Sequence, residues 1–203
     1  MPVLLATAYF PPIGYMAGVL QADRVRIEAL ETYAKQSCRN HCIIAGPNGP
    51  HTLTVPVEKP DGNRTLTRDV RVSNHTSWQR NHKRSIETAY NNSPFFLFYS
   101  DPVMPVFEKH HHFLLDLNLG ILEVLLKILK ASPLVDISES FDKQPVGWND
   151  LRSISGSKKP VFKAVYPEYT QVFSPVRSFI PGLSILDLIF NIGPEAPGYL
   201  RQL

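Results

Sequence analysis

The run Val3 to Tyr9 is almost wholly apolar and stops at Pro11-Pro12, the pattern of a strand covered on both faces. Ile13 to Ala22 then reads as a short helix. Beyond it Val25, Ile27 and Ala29 alternate with Arg24, Arg26 and Glu28, so the chain returns as a second strand. Strand, helix and strand at this spacing pair in parallel, which sets an α/β class. A chain of 203 residues with 43% apolar content can bury a core without a metal or a disulfide framework. The expectation is a single domain over 1–203, a mixed sheet with a parallel strand-helix-strand opening and inserted antiparallel hairpins, and helices packed on the sheet.

Two runs, Cys42 to Ala45 and Leu53 to Val57, flank Gly46-Pro47-Asn48-Gly49-Pro50, whose Asn-Gly suits the positive φ of a hairpin turn, with Pro56 marking an edge. Residues 58–69 are polar and lead to a second hairpin closed by Val70-Arg71-Val72. Trp78, His82, Ser85, Ile86 and Ala89 recur at helical spacing after a Thr76/Gln79 capping box, and Asn91-Asn92-Ser93-Pro94 ends that helix. Asn118 is read as the cap of a helix from about Leu119 to Lys130, followed by a strand at Leu134 to Ile137. Residues 144–167 show no period and are a loop or lid candidate. Leu183 to Phe190 is a short apolar helix.

Several function classes fall away. Lys+Arg 21 against Asp+Glu 18 leaves a net charge of +3, which gives no basis for nucleic-acid binding. The opening has no basic n-region and its apolar run is broken by prolines, unlike a signal peptide. The longest apolar stretch, Phe113 to Leu129, carries Asp116, Asn118, Glu123 and Lys127, and charges there cost about 3 kcal/mol each at a bilayer centre. It reads as a core helix, not a membrane span. Cys38 and Cys42 offer no disulfide framework and suit a reducing compartment, so the expectation is a cytoplasmic protein. Asn-x-Ser/Thr triplets at Asn63, Asn74 and Asn91 carry no weight there.

Among chemistry-bearing residues His82 stands out, because four-residue spacing puts it on one helix face with Trp78 and Ile86. An inward imidazole is either packed against a carbonyl or poised as a general base. Arg80 and Arg84, one turn apart, can fork a phosphate or carboxylate. Lys35, Arg39, Asn40 and His41 precede the hairpin and form a cationic pocket with Arg84 if the fold gathers them. Tyr9, Pro12 and Tyr15 sit at the carboxyl end of the first strand, where open α/β sheets hold ligands. His110-His111-His112 with Asp116 matches the short HHxxxD pattern of some acyltransferases, but Leu117 replaces the usual glycine. Neither it nor Cys38/Cys42 has the further ligands a metal site needs. Cofactors therefore stay unassigned.

Ala8-Tyr9-Phe10-Pro11-Pro12-Ile13-Gly14-Tyr15, Tyr33 to Asn40 and Gly49 to Val57 resemble the WbqC-like protein family. The likeness continues through Trp78 to His82, Ala89-Tyr90, Ser93 to Phe96, Leu115 to Asn118 and Leu183 to Leu188, with a departure at His41, where the family commonly has arginine. The resemblance implies a bacterial protein of surface-polysaccharide and O-antigen gene clusters that transfers an acyl or aminoacyl group to a sugar. Matching positions are Tyr9, Pro12, Tyr15, Lys35, Asn40, His82, Tyr90 and Asp187. Asp187 lies between Leu186 and Leu188, so a cationic partner is expected for its carboxylate. The resulting expectation is a transferase acting on a nucleotide-activated amino sugar. His82, Lys35 and Asp187 are its catalytic candidates, and Tyr9, Pro12, Tyr15, Arg39, Asn40, Arg84 and Tyr90 its small-molecule contacts. The rival is a non-enzymatic binding or assembly protein, and convergence of His82, Lys35, Asn40 and Tyr15 on one pocket separates the two.

Overall fold

A computed structural model describes residues 1–155, 165–174 and 177–203. Strand β1 (Val3–Ala6) is fully buried and runs into helix α1 (Ile13–Leu20), and β2 (Arg24–Glu28) returns parallel to β1 with Val3 opposite Val25. β7 (Leu134–Ile137) adds to the far side of β2, and β8 (Asn149–Asp150) adds to the far side of β1, both in parallel. The order is therefore β7-β2-β1-β8, an α/β arrangement whose antiparallel pairs stand beside it as separate two-stranded sheets. One such pair is β3 (His41–Ile44) with β4 (His51–Thr54), and the other is β5 (Val57–Glu58) with β6 (Arg71–Val72).

Period-two patterning splits the sheet into unlike faces. Val3, Leu5, Val25 and Ile27 enter the core. Arg24, Arg26 and Glu28 point to the other face, where Asp136 receives both arginines at 2.5–2.6 Å and the Arg26 guanidinium lies 4.3 Å from the Trp148 ring centre. The core is completed by α2 (Trp78–Tyr90), α4 (Leu114–Ile128) and α5 (Ile185–Ile192), while α1 packs against α5 and α6 (Ala196–Arg201). None of the described helices is long and apolar enough to cross a membrane.

Several local expectations need correction. Helix α3 (Phe96–Val103) has no sequence-level counterpart, because Phe96 to Tyr99 show no amphipathic period and Pro102 lies inside it. Helix α4 starts at Leu114, after Phe113, so Asn118 is not its cap; it is buried inside the helix and donates to the Arg39 carbonyl at 2.8 Å. The Thr76/Gln79 box does not form either. Ser77 precedes α2 without a side-chain cap, and Gln79 donates to Asn74 at 3.0 Å. Within 144–167 the structure places β8 and a 3-10 turn at Arg152–Ser155, while 156–164 lie outside the described residues.

Candidate functional site

The turn of the β3–β4 hairpin and the flank of α2 line one cleft between them. Ile44 pairs with His51, and Gly49 N–H donates to Gly46 O at 3.1 Å. Only glycine fits comfortably at 49, where φ is +113°, and a Cβ on Gly46 would meet Gly49 O at 2.9 Å. Asn48 does not share the positive φ expected of an Asn-Gly turn. Between this turn and the flank of α2 lies a cleft of about 390 Å³, within the size range of small-molecule sites. Ile44, Ala45, Pro47, Pro50 and Ala89 form its apolar lining, and Arg84, Ser85, Thr88 and His51 its polar groups. Arg84 and His51 are exposed, and no ion pair engages Arg84 among the described residues. Arg177 reaches the rim and donates Nε–H to Pro47 O at 2.9 Å.

Behind the hairpin, His82 takes the inward position its spacing predicts and is only 6% exposed. Its Nδ1 lies 2.8 Å from the Tyr9 hydroxyl, and Trp78 packs edge-on against the ring. Burial holds the imidazole down to about 4, with a hydrogen bond to the Thr54 backbone opposing the shift and His51 adding to it. A general base works best near the operating pH, so a ring held this low and already engaged is a poor proton acceptor. Tyr9 is fully buried, and burial pushes its phenol up, so it stays protonated beside the ring.

A second buried cluster surrounds Asp187. Tyr169 donates its hydroxyl to Oδ2 at 2.5 Å and Gln171 donates Nε2–H to the same oxygen at 2.9 Å. Tyr90 also lies against the carboxyl, and its own hydroxyl accepts Ala45 N–H at 3.0 Å. Burial raises the Asp187 carboxyl above the ordinary value, and the surrounding hydrogen bonds resist that rise. The expected cationic partner is absent among the described residues; two phenols and an amide take its place. Through Tyr90 and Ala45 this cluster fixes the floor of the cleft without lining it.

The remaining candidates do not converge. Arg39 is buried and pairs with Glu31 at 2.6 Å. Tyr15 is buried and donates to Ala6 O at 2.9 Å. Pro12 precedes α1 and bridges to Ser184, and Asn40 donates to Val55 O at 2.9 Å. Lys35 is exposed beside Lys59, whose ammonium it holds below its ordinary value. Arg84 alone of the ten reaches the cleft, so His82, Lys35, Asn40 and Tyr15 share no cavity there. The triple histidine faces no ligand set: among the described residues no group of three or more His, Cys, Asp or Glu can hold a metal ion.

The sequence reading missed His51 and Arg177, which carried no periodic signal, and it missed the charge network at the carboxyl end of the sheet. There Glu28 accepts from Ser138 Oγ at 2.6 Å and from Leu30 N–H at 2.8 Å, while Arg152 spans Asp150, the Asp142 carbonyl and Glu28. Glu28 at the end of an alternating strand was the available cue, since its alternation partners are otherwise arginines.

Comparison with known proteins adds a family but no mechanism. The sequence pattern of the WbqC-like protein family matches residues 7–159 and 153–199. Uncharacterized protein Rv1507c of Mycobacterium tuberculosis is 26% identical over 226 residues, spanning 98% of this chain and 96% of that protein. No solved structure matches.

Proposed function

The chain belongs to the WbqC-like protein family, and from that premise we propose that it is a transferase of bacterial surface-polysaccharide (O-antigen) biosynthesis, moving an acyl or aminoacyl group onto a nucleotide-linked amino sugar. The observation that carries the reading is the cleft of about 390 Å³ between the β3–β4 turn and α2, apolar on its floor, with Arg84 on its wall making no ion pair among the described residues. Apolar walls with a few polar groups suit a ring-bearing polar metabolite. Arg84 anchors the ligand in this reading, and His51 is the cleft side chain able to accept a proton. Asp187, Tyr90 and His82 act as scaffold. Such a substrate places the protein in the cytoplasm, where its two buried thiols stay reduced.

The rival, a non-enzymatic binding or assembly protein, is favoured by one observation: His82, Asn40 and Tyr15 are buried with polar atoms turned to internal partners. A thermal-shift screen with nucleotide sugars, coenzyme A thioesters, ATP and amino acids separates the two, followed by mass-spectrometric detection of a transferred group. A ligand at a hundred times its Kd stabilises by about 2.7 kcal/mol, or about 5–10 °C for a chain of this size. The expected result is such a shift in wild type, reduced in Arg84→Ala. Wild-type protein that no metabolite stabilises or modifies refutes the transferase.

A further inference from the structure

We infer that the cleft is a diphosphate site clamped from two sides, by Arg84 on α2 and by Arg177 ahead of α5, with His51 as a third polar contact; this rests on the cleft being the ligand site proposed above. The first support is charge. None of the described residues lining the cleft is acidic, although the chain carries 18 Asp and Glu. Arg24 and Arg26 pair with Asp136, Arg152 with Asp150 and Arg68 with Asp69, whereas the exposed Arg64, Arg71, Arg80 and Arg201 make no ion pair among the described residues and stand outside the cleft lining. Arg84 and Arg177 make no ion pair among the described residues.

The second support is geometry. Arg177 uses Nε–H on the Pro47 carbonyl, which fixes its guanidinium at the rim of the turn and leaves both Nη groups without a described acceptor. Arg84 enters from the opposite element, and Ser85 and Thr88 supply hydroxyls beside it. A lone carboxylate is satisfied by one guanidinium fork, whereas two forks brought from separate elements match the spread charge of a diphosphate. The apolar floor of Ile44, Ala45 and Ala89 then leaves room for a ring attached to it. The turn is held open for this by Gly46 and Gly49, neither of which tolerates a side chain without shifting or straining the backbone.

In the reaction proposed above, two reactant classes carry a diphosphate linkage, nucleoside-diphosphate sugars and coenzyme A thioesters. Calorimetric titration of wild type, Arg84→Gln, Arg177→Gln and the cleft-filling Ser85→Trp tests the clamp with UDP, coenzyme A, inorganic pyrophosphate and uridine. Variants are first checked for an unchanged melting temperature, since all three sites are on the surface or half-buried. The expected result is that each arginine variant weakens UDP or coenzyme A at least tenfold and flattens the salt dependence, with uridine unaffected. A preference for UDP identifies the sugar-nucleotide source and a preference for coenzyme A the acyl-donor source, and both support the clamp. Diphosphate binding lost in Ser85→Trp but undiminished in both arginine variants overturns the clamp and leaves the cleft standing. Binding that survives in Ser85→Trp, or no binding of any probe, overturns the cleft and the clamp together.

Discussion

Acid should destabilise this protein through His82, and the size of the effect follows from its surroundings. The ring is buried, hydrogen-bonded by Tyr9 and by the Thr54 backbone, and held at about 4 against 6.5 in an unfolded chain. As pH falls the unfolded chain takes up this proton first, so the folded state loses stability through the window from 6.5 to about 4 and no further below it. At about 1.4 kcal/mol per pH unit the whole window is worth about 3 kcal/mol, of which about 2 kcal/mol falls between pH 7 and pH 5. Asp187, raised by burial, works in the opposite sense over its own window, so the comparison must be made against a variant. His82→Gln keeps a hydrogen-bonding side chain opposite Tyr9 and cannot titrate. Urea unfolding followed by tryptophan fluorescence should show it less stable than wild type at pH 7, by about 1–2 kcal/mol. By pH 5 that gap should close or reverse. Trp78, with its ring centre 5.2 Å from the imidazole, reports the same site. Parallel pH curves for the two proteins would refute a buried neutral imidazole and reopen His82 as a solvent-reaching base.

Two further outcomes follow from packing and charge. Gly193→Ala places a Cβ 2.5 Å from Phe95 Cγ at a φ of +48°, so strain and overpacking together should cost about 2–5 kcal/mol and lower the melting temperature by about 10 °C. Gly120→Ala is its control: nothing lies within 4 Å of the new Cβ inside α4, and calorimetry should show no loss. Asp187→Asn should raise the melting temperature at pH 7 and lose that advantage as pH falls. The wild-type carboxyl is stabilising when protonated, and that contribution disappears as pH rises through its raised value. An advantage that grows toward acid pH in a thermal-shift series would contradict this.

What could be seen in the residues beforehand was whatever repeats. The apolar run before Pro11-Pro12, the alternation of Val25 and Ile27 with arginines, and the spacing of Trp78, His82 and Ile86 each mark an element directly. Asn118 misled because its type favours caps, yet here it carries a tertiary hydrogen bond to Arg39 from inside a helix. Asp187 misled for a similar reason: a carboxylate among leucines calls for compensation, and pattern does not say whether a cation or a pair of phenols supplies it. Of the candidate site residues Arg84 was legible, as an anion contact forked with Arg80 one turn away, although Arg80 stays outside the cleft lining. Tyr9 and Tyr15 sit at a strand end where ligand rims occur, and the sequence does not reveal that each hydroxyl is turned to an internal partner.

The displacement of the cleft from the sheet has a physical reason. The step from β1 to β2 and on to β7 runs in one direction, and the chain then crosses back to place β8 on the other side of β1. The switch of direction therefore falls between β1 and β8, whose carboxyl ends are where an open α/β sheet presents a ligand crevice. In this protein the charges at that end engage one another, and the cleft left beside Glu28, Ser138, Asp142 and Trp148 holds only about 140 Å³. Arg152, immediately after β8, directs Nε and Nη2 to Asp150 and Nη1 to the Asp142 carbonyl and Glu28, while Phe141 lies over its guanidinium. Glu28 is in turn closed off by Ser138 and Leu30, and Arg39 by Glu31. Removing any one partner would strand a buried charge, so the network resists displacement by an incoming anion. A guanidinium with no ion pair among the described residues stands instead at the cleft between the added hairpin and α2, on Arg84.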